Sequence, residues 1–345
     1  RLLTGFIGAS FVITQVHTSL MFASNVVGTA NATSAGWGNL GGGANRLGMP
    51  IIAAIVIGVG VAEADAWRYS MVIAGIACFT MGLVYYFFTK DTPQGNFKEL
   101  EARGMQVPST KKDKVGFMEA VKDYRVWLLF VVYAACFGIE LTVYGTMDDY
   151  LQNTFQLERI TAGNIVLSFA LMNIFARTTG GIIGDKFAAR WGLKGRVKWL
   201  FIALFIESLA LMFFSQMRIL PIAIGSMVVF SLFVQMSEGA TYSVVPFINK
   251  KALGSVAGIV GAGGNAGAVA AGFLFRSEEL TWPMALLILG GGVMVCSFAT
   301  LAVTFSPAQE KEAEEEYNKA LADQQAADVD RSPAIAFPAL PALGR

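Results

Sequence analysis

The feature that most constrains this chain is a succession of nine apolar runs, at roughly 1–24, 35–61, 67–89, 126–152, 161–188, 198–216, 219–247, 252–275 and 282–305. A helix needs about 20 residues to cross the hydrocarbon of a bilayer, and each run is close to that or longer. The expected fold class is therefore an all-α membrane protein with about nine transmembrane helices, its outer surface bathed in lipid. Composition agrees, with 54% hydrophobic and only 15% charged residues. A soluble enzyme of this length would carry far more charge.

A formal net charge of +1 says little, whereas the placement of the charges says much. Lys and Arg gather in the loops after the third run (Lys90 to Arg125), the fifth (Lys186 to Lys198) and the seventh (Lys250, Lys251), fifteen in all, against four in the intervening loops: Arg68, Arg159, Arg218 and Arg276. Short loops rich in Lys and Arg stay on the cytoplasmic side. Loop 90–125 and the acidic C-terminus are thus expected in the cytoplasm, and the sequon Asn31-Ala32-Thr33 is expected to face the same side and carry no glycan.

Other chemistries find little support. Cys78, Cys136 and Cys296 are odd in number, widely spaced and inside apolar runs, so neither a disulfide framework nor a metal site is indicated. His17, the single histidine, reads as a packed or pore-lining side chain rather than a proton carrier. No nucleophile, metal set or cofactor loop points to an enzyme, and the basic loops lack the aromatic interleaving of a nucleic-acid surface.

Two glycine-rich stretches echo each other, Gly36 to Gly43 and Gly261 to Ala268, and share a core found nowhere else: Gly38-Asn39-Leu40-Gly41 and Gly264-Asn265-Ala266-Gly267. Glycines at this spacing flatten one helix face and let backbones approach in lipid, either as plain packing or as a surface along which helices slide. The asparagines carry more meaning. A buried amide in a bilayer is costly unless partnered, and two at matching places suggest two matching half-sites. The copies fall six runs apart, and the long polar loop follows the third run. A transporter of two six-helix halves has this layout if the runs are helices 4 to 12 of 12, with three more expected upstream. The expected divisions are 1–89 (the end of the first half), 90–125 (a central cytoplasmic loop), 126–305 (the second half) and 306–345 (an acidic tail, a short helix followed by disorder).

The segment Gly180-Gly181-Ile182-Ile183-Gly184-Asp185-Lys186 with Arg190 resembles the Gly-x-x-x-Asp-Arg/Lys loop motif of the major facilitator superfamily, in which the acid and the basic residues latch cytoplasmic helix ends. The resemblance then narrows. Ala35 through Met49-Pro50, with Gly258 to Asn265, looks like the paired nitrate signatures of the nitrate/nitrite porter family. Phe137-Gly138-Ile139-Glu140-Leu141-Thr142, Asn173-Ile174-Phe175-Ala176-Arg177 and Glu238-Gly239-Ala240-Thr241 resemble the eukaryotic high-affinity members of that family. The resemblance implies alternating-access transport of nitrate and nitrite across the plasma membrane, with protons, nitrate, nitrite and the lipid bilayer as partners, no cofactor, and room for a small accessory membrane protein. An exchanger, a porter of another small anion and a nitrate-sensing receptor are the other readings.

The residues suit that implication. Arg177 is the basic residue deep within its run, where a charge costs about 2.5–3.5 kcal/mol on insertion scales. A guanidinium is planar, permanently charged and offers paired donors, which suits a flat oxyanion; the alternative is a structural ion pair with an acid elsewhere. In the family, arginines of the second and eighth helices hold the anion, and Arg177 matches the latter. Asn39 and Asn265 are expected as neutral donors beside Gly38 and Gly264, with Tyr133 as a hydroxyl donor and Phe11 and Tyr242 stacked on the faces of the ion. Glu140 and Glu238 lie in apolar runs and are candidates for the coupled proton, with helix-packing acids as the alternative. Glu207 is less informative. Gly181, Asp185, Lys186 and Arg190 are expected to form the latch. Arg46 departs from the family pattern and is expected to pair with Glu140 or Glu238, or to line the pathway.

Overall fold

The apolar runs become helices in a computed structural model that describes residues 8–105, 113–277 and 279–331. Three helices come first: α1 (Ala9–Met21), α2 (Val27–Gly58) and α3 (Glu63–Phe88). Two short ones, α4 (Phe97–Ala102) and α5 (Asp113–Lys122), lie in the polar central segment. The remainder are α6 (Tyr124–Phe155), α7 (Arg159–Leu171), α8 (Ala176–Ser215), α9 (Leu220–Val244), α10 (Leu253–Arg276), α11 (Trp282–Thr300) and α12 (Pro307–Arg331). Seven stretches of the described residues are long and apolar enough to span a bilayer.

One of these seven, Arg159–Ser215, runs for 57 residues. As a straight helix that would measure about 85 Å, nearly three hydrocarbon thicknesses. It turns back instead. Gly192 breaks α8 with φ 63° and ψ −152°, a conformation open chiefly to glycine. The arms 176–191 and 193–215 then run antiparallel, with Trp199 Nε1 donating to Gly180 O at 2.8 Å and Gly195 pressed against Phe187 O. With this reversal, and with α1, the helices account for all nine apolar runs.

Two boundaries differ from expectation, each for a local reason. Helix α2 begins at Val27 rather than near residue 35, although the stretch Gly28 to Ser34 is polar and small. Asp185 of α8 caps it from outside, its carboxylate accepting from Gly28 N at 3.2 Å and Thr29 N at 2.6 Å. A carboxylate at a helix N-terminus satisfies free N–H groups and meets the positive end of the dipole. The sequon asparagine Asn31 is thereby enclosed within α2, fully buried.

The acidic tail is the second case. A short helix was expected, and α12 is 25 residues long. It is docked by polar contacts: Glu310 accepts from Leu193 N at 3.0 Å, Lys250 Nζ reaches Glu312 at 3.0 Å and Glu316 at 2.6 Å, and Gln324 accepts from Asn25 at 3.2 Å. The proline-interrupted stretch Ser332 to Pro341 lies outside the described residues.

Buried side chains concentrate on α6, α8, α9 and α10, for example Leu129, Leu200, Leu204, Phe230 and Val260. Phe79, Tyr86, Phe87 and Phe88 of α3 are exposed, as on a helix whose solvent is lipid. Glycines set the tightest crossings. Gly263 and Gly267 of α10 lie on the backbone of α6 at Phe130 and Ala134, and Gly138 of α6 returns the contact, where an added Cβ would sit 2.8 Å from Ala268 N. Helix α8 is gripped in the same way, Gly180 against Met236 of α9 and Gly181 against Gly28 of α2.

Candidate functional site

Helix α7 does not run smoothly into α8. Residues Met172–Ile174 tighten into a 3-10 turn and Phe175 leaves helical geometry at φ −129°, so that α8 starts afresh at Ala176. The next residue is Arg177. Gly36 of α2 closes on this break, where a Cβ would lie 2.7 Å from Asn173 O and 3.1 Å from Arg177 Cβ. On the other side Gly239 of α9 lies against Arg177 O, and the adjacent Glu238 is brought up to the guanidinium.

Arg177 is 0% exposed. Its Nη1 is ion-paired with Glu238, also fully buried, and its Nη2 donates to Tyr133 Oη at 2.8 Å. Its Cζ lies 5.8 Å from the ring centroid of Phe11 and 5.9 Å from that of Phe137, at the outer reach of a cation–π contact. Arg177 Nε and Glu238 Oε1 have no hydrogen-bond partner among the described residues. A buried guanidinium thus keeps a donor in hand, where an unmet donor costs about 1–3 kcal/mol.

Beside it stands a second acid with a different set of partners. Glu140 Oε1 accepts from Asn173 Nδ2 at 2.6 Å and from Tyr144 Oη at 3.0 Å, and Oε2 from Asn39 Nδ2 at 3.4 Å. One guanidinium and two carboxyls are therefore fully buried in this region. With both acids ionised the trio carries one negative charge.

The expected site residues divide on this geometry. Arg177, Tyr133, Glu238, Phe11 and Tyr242 come together. Asn39 joins through Glu140 and not through Arg177. Asn265 is exposed on α10 and makes no hydrogen bond among the described residues, and Gly38 has open space around it. Gly264 is filled by the Phe137 ring. The aromatic walls also differ from expectation. Tyr242 meets Phe11 edge-on, at 88° with centroids 5.2 Å apart, so these two rings do not face each other across a flat ion. Its hydroxyl is engaged by Ala257 O at 3.2 Å. The ring parallel to Phe11 is Phe137, within 5° at 6.4 Å.

Arg46 pairs with neither Glu140 nor Glu238. It reaches Asp148 at 2.7 Å and Tyr144 O at 2.8 Å, near the far end of α2. His17 is wedged between α1 and the end of α3, bonded to Tyr85 Oη and, at 2.7 Å, to Lys90 O. In the latch, Asp185 bonds to the start of α2 and to Arg196 at 2.6 Å; Gly181 lies against Gly28 O. Lys186 is exposed, and Arg190 lies over Trp191.

Sequence reasoning had left several participants aside. Phe137, Asn173 and Tyr144 carried no special signal, although the first two lie in segments that resemble the family. Arg196 lies eleven residues beyond Asp185, outside the short motif, and becomes its partner only because α8 doubles back at Gly192. Glu207 is fully buried on the second arm of α8, with neither oxygen partnered among the described residues.

Comparison with known proteins follows this picture closely. Residues 1–272 match the Major Facilitator Superfamily. The chain is 36% identical over 328 residues to high affinity nitrate transporter 2.5 of Arabidopsis thaliana, covering 92% of this chain and 64% of that protein. It is 36% identical over 290 residues to nitrate transporter 2.2 of Chlamydomonas reinhardtii, covering 81% and 56%. The nitrate/nitrite transporter NrtP of Nostoc punctiforme is 27% identical over 391 aligned positions, covering 92% and 77%. The chain thus spans less than two thirds of the length of the Arabidopsis and Chlamydomonas relatives. On the multi-pass helical fold and the match over residues 1–272 together, the chain belongs to the Major Facilitator Superfamily.

Proposed function

We propose that the whole protein carries nitrate, and nitrite with it, through the plasma membrane into the cytoplasm by alternating access, together with protons. The observation that carries this reading is the buried Arg177, held by Glu238 and Tyr133 beside the parallel rings of Phe11 and Phe137. A planar oxyanion can take two N–H groups from a guanidinium side by side and lie between parallel rings. The loop charges support an orientation with the central segment and α12 in the cytoplasm.

The ion pair supplies a reason for coupling. An incoming anion must compete with Glu238 for Arg177, and a buried carboxylate left without its partner costs about 3–5 kcal/mol. A proton on Glu238 removes that competition. Glu140, held by Asn39, Asn173 and Tyr144, is the neighbouring acid to which the proton passes or with which it is shared. Proton and anion thereby enter the same pocket as a mutually neutralising pair, and each raises the affinity for the other.

The test is nitrate flux by the full-length protein in proteoliposomes. Nitrate added outside at acid pH is expected to acidify the vesicle interior as it enters, and Arg177→Gln is expected to abolish both the uptake and the acidification. Electroneutral exchange of nitrate for nitrite would reject proton symport while keeping the anion site. Binding without any flux would favour a receptor, and competition by chlorate or chloride would redraw the substrate range.

A further inference from the structure

Asp185 of the latch lies eight positions along α8 from Arg177, about 12 Å of helix. An ion leaving the guanidinium toward that end has to cross this interval. The polar side chains that α1 and α2 send toward it are neutral. Phe11, Gln15 and Ser19 recur every four residues of α1 and so share one face. The first of them touches Tyr242, with centroids 5.2 Å apart, and lies over Arg177. At the other end of this face, Ser19 Oγ accepts from Asn31 Nδ2 of α2 at 2.9 Å. Asn31 closes the circle with a longer bond to Tyr242 O at 3.4 Å.

Gln15 lies between Phe11 and Ser19 on this face of α1 and is 1% exposed, yet neither its Nε2 nor its Oε1 has a partner among the described residues. Asn31, at 0% exposure, leaves Oδ1 unpartnered. Three orphaned buried amide atoms on two neighbouring helices need a cause, because buried polar atoms are nearly always satisfied and an orphan is costly. No role in packing explains them, since Leu would fill the place of Gln15 without the cost.

We propose that Gln15 and Asn31 form a second, transient station for the transported oxyanion, between Arg177 and the cytoplasmic latch. This rests on the transport reading above. The amide N–H groups donate to the oxyanion, and the amide oxygens accept from the water that travels with it. Neutral donors suit a station of this kind. They lower the barrier between a buried cation and water without holding the ion, whereas a second fixed charge would trap it. Asp185 of α8 closes on the first turn of α2 at Gly28 and Thr29, so the station is reached from the cytoplasm only when that contact parts.

The experiment compares the full-length wild type with Gln15→Leu, Gln15→Asn and Asn31→Leu, in proteoliposomes for flux and in detergent for nitrate binding and thermal unfolding. Expected for Gln15→Leu is an unfolding temperature equal to or above wild type, a nitrate Kd within about twofold, and a maximal flux lowered about fivefold or more, since only the step after binding is slowed. Gln15→Asn, which keeps an amide, is expected to regain part of that flux. Wild-type flux in both Leu variants would overturn the proposal and leave the Arg177 site standing. So would a parallel loss of flux, binding and unfolding temperature, which is the mark of a structural role. If the wild type itself moves no nitrate, the transport reading falls and this one falls with it.

Discussion

A guanidinium fully enclosed between Glu238, Tyr133 and two phenyl rings is the residue on which the chemistry turns. Lysine in its place would keep the charge and lose the fork, so it could not bond Glu238 and Tyr133 and still offer a flat ion two parallel donors. Arg177→Lys is therefore expected to fold, and to lose about tenfold or more in nitrate affinity, a difference of about 1.4 kcal/mol; titration of the purified variant with nitrate checks this. Arg177 was legible in the sequence because a lone cation deep in an apolar run has to be used or paired. Here it is paired, and the acid is Glu238, one of the two singled out for the proton. The sequence could not say that Glu140 would instead gather Asn39 and Asn173, because those contacts join segments far apart in the chain, whereas Tyr144 is one turn on in the same helix. Among the described residues, the symmetry of Asn265 with Asn39 is one of pattern and not of contact. What the matching Gly-Asn motif secures on α10 is the crossing with α6.

That crossing yields a prediction at the level of the helix. A Cβ on Gly267 would meet the backbone of α6 at Ala134, whereas one on Gly272, five residues on, would meet nothing within 4 Å. Gly267→Ala is expected to destabilise by about 1–3 kcal/mol, as overpacking does, and Gly272→Ala to be neutral or to stabilise by about 0.5–1 kcal/mol, as the exchange does inside a helix. Thermal unfolding of the two purified variants separates the glycines that join helices from those that do not. The helices themselves were readable from apolar length alone. Their ends were not, since α2 starts eight residues early on the strength of a carboxylate 157 positions away. Likewise α12 owes its place to Lys250 and the turn at Gly192, not to any signal within its own acidic sequence.

At the scale of the molecule, Asp185 joins the first turn of α2 to both arms of α8, because it caps the one and pairs with Arg196 in the other. The two roles can be told apart. If Asp185 served only as a counter-ion, the exchanged pair Asp185→Arg with Arg196→Asp would restore what either change removes. Since the carboxylate also faces the positive end of α2, the exchange is expected to fail, leaving flux as low as in Asp185→Arg alone. Helix α12 stands across this same end. It is fastened by Glu310, Glu312 and Glu316 to turns of the later helices, and meets the turn before α2 through a neutral bond between Asn25 and Gln324. If the earlier and later helices tilt against each other, the tail will ride with the later ones like a needle fixed to one side of a dial. Spin labels at positions 25 and 324 are then expected to give two distances whose proportions change with nitrate and pH, whereas one constant distance would mean that this end of the molecule does not open.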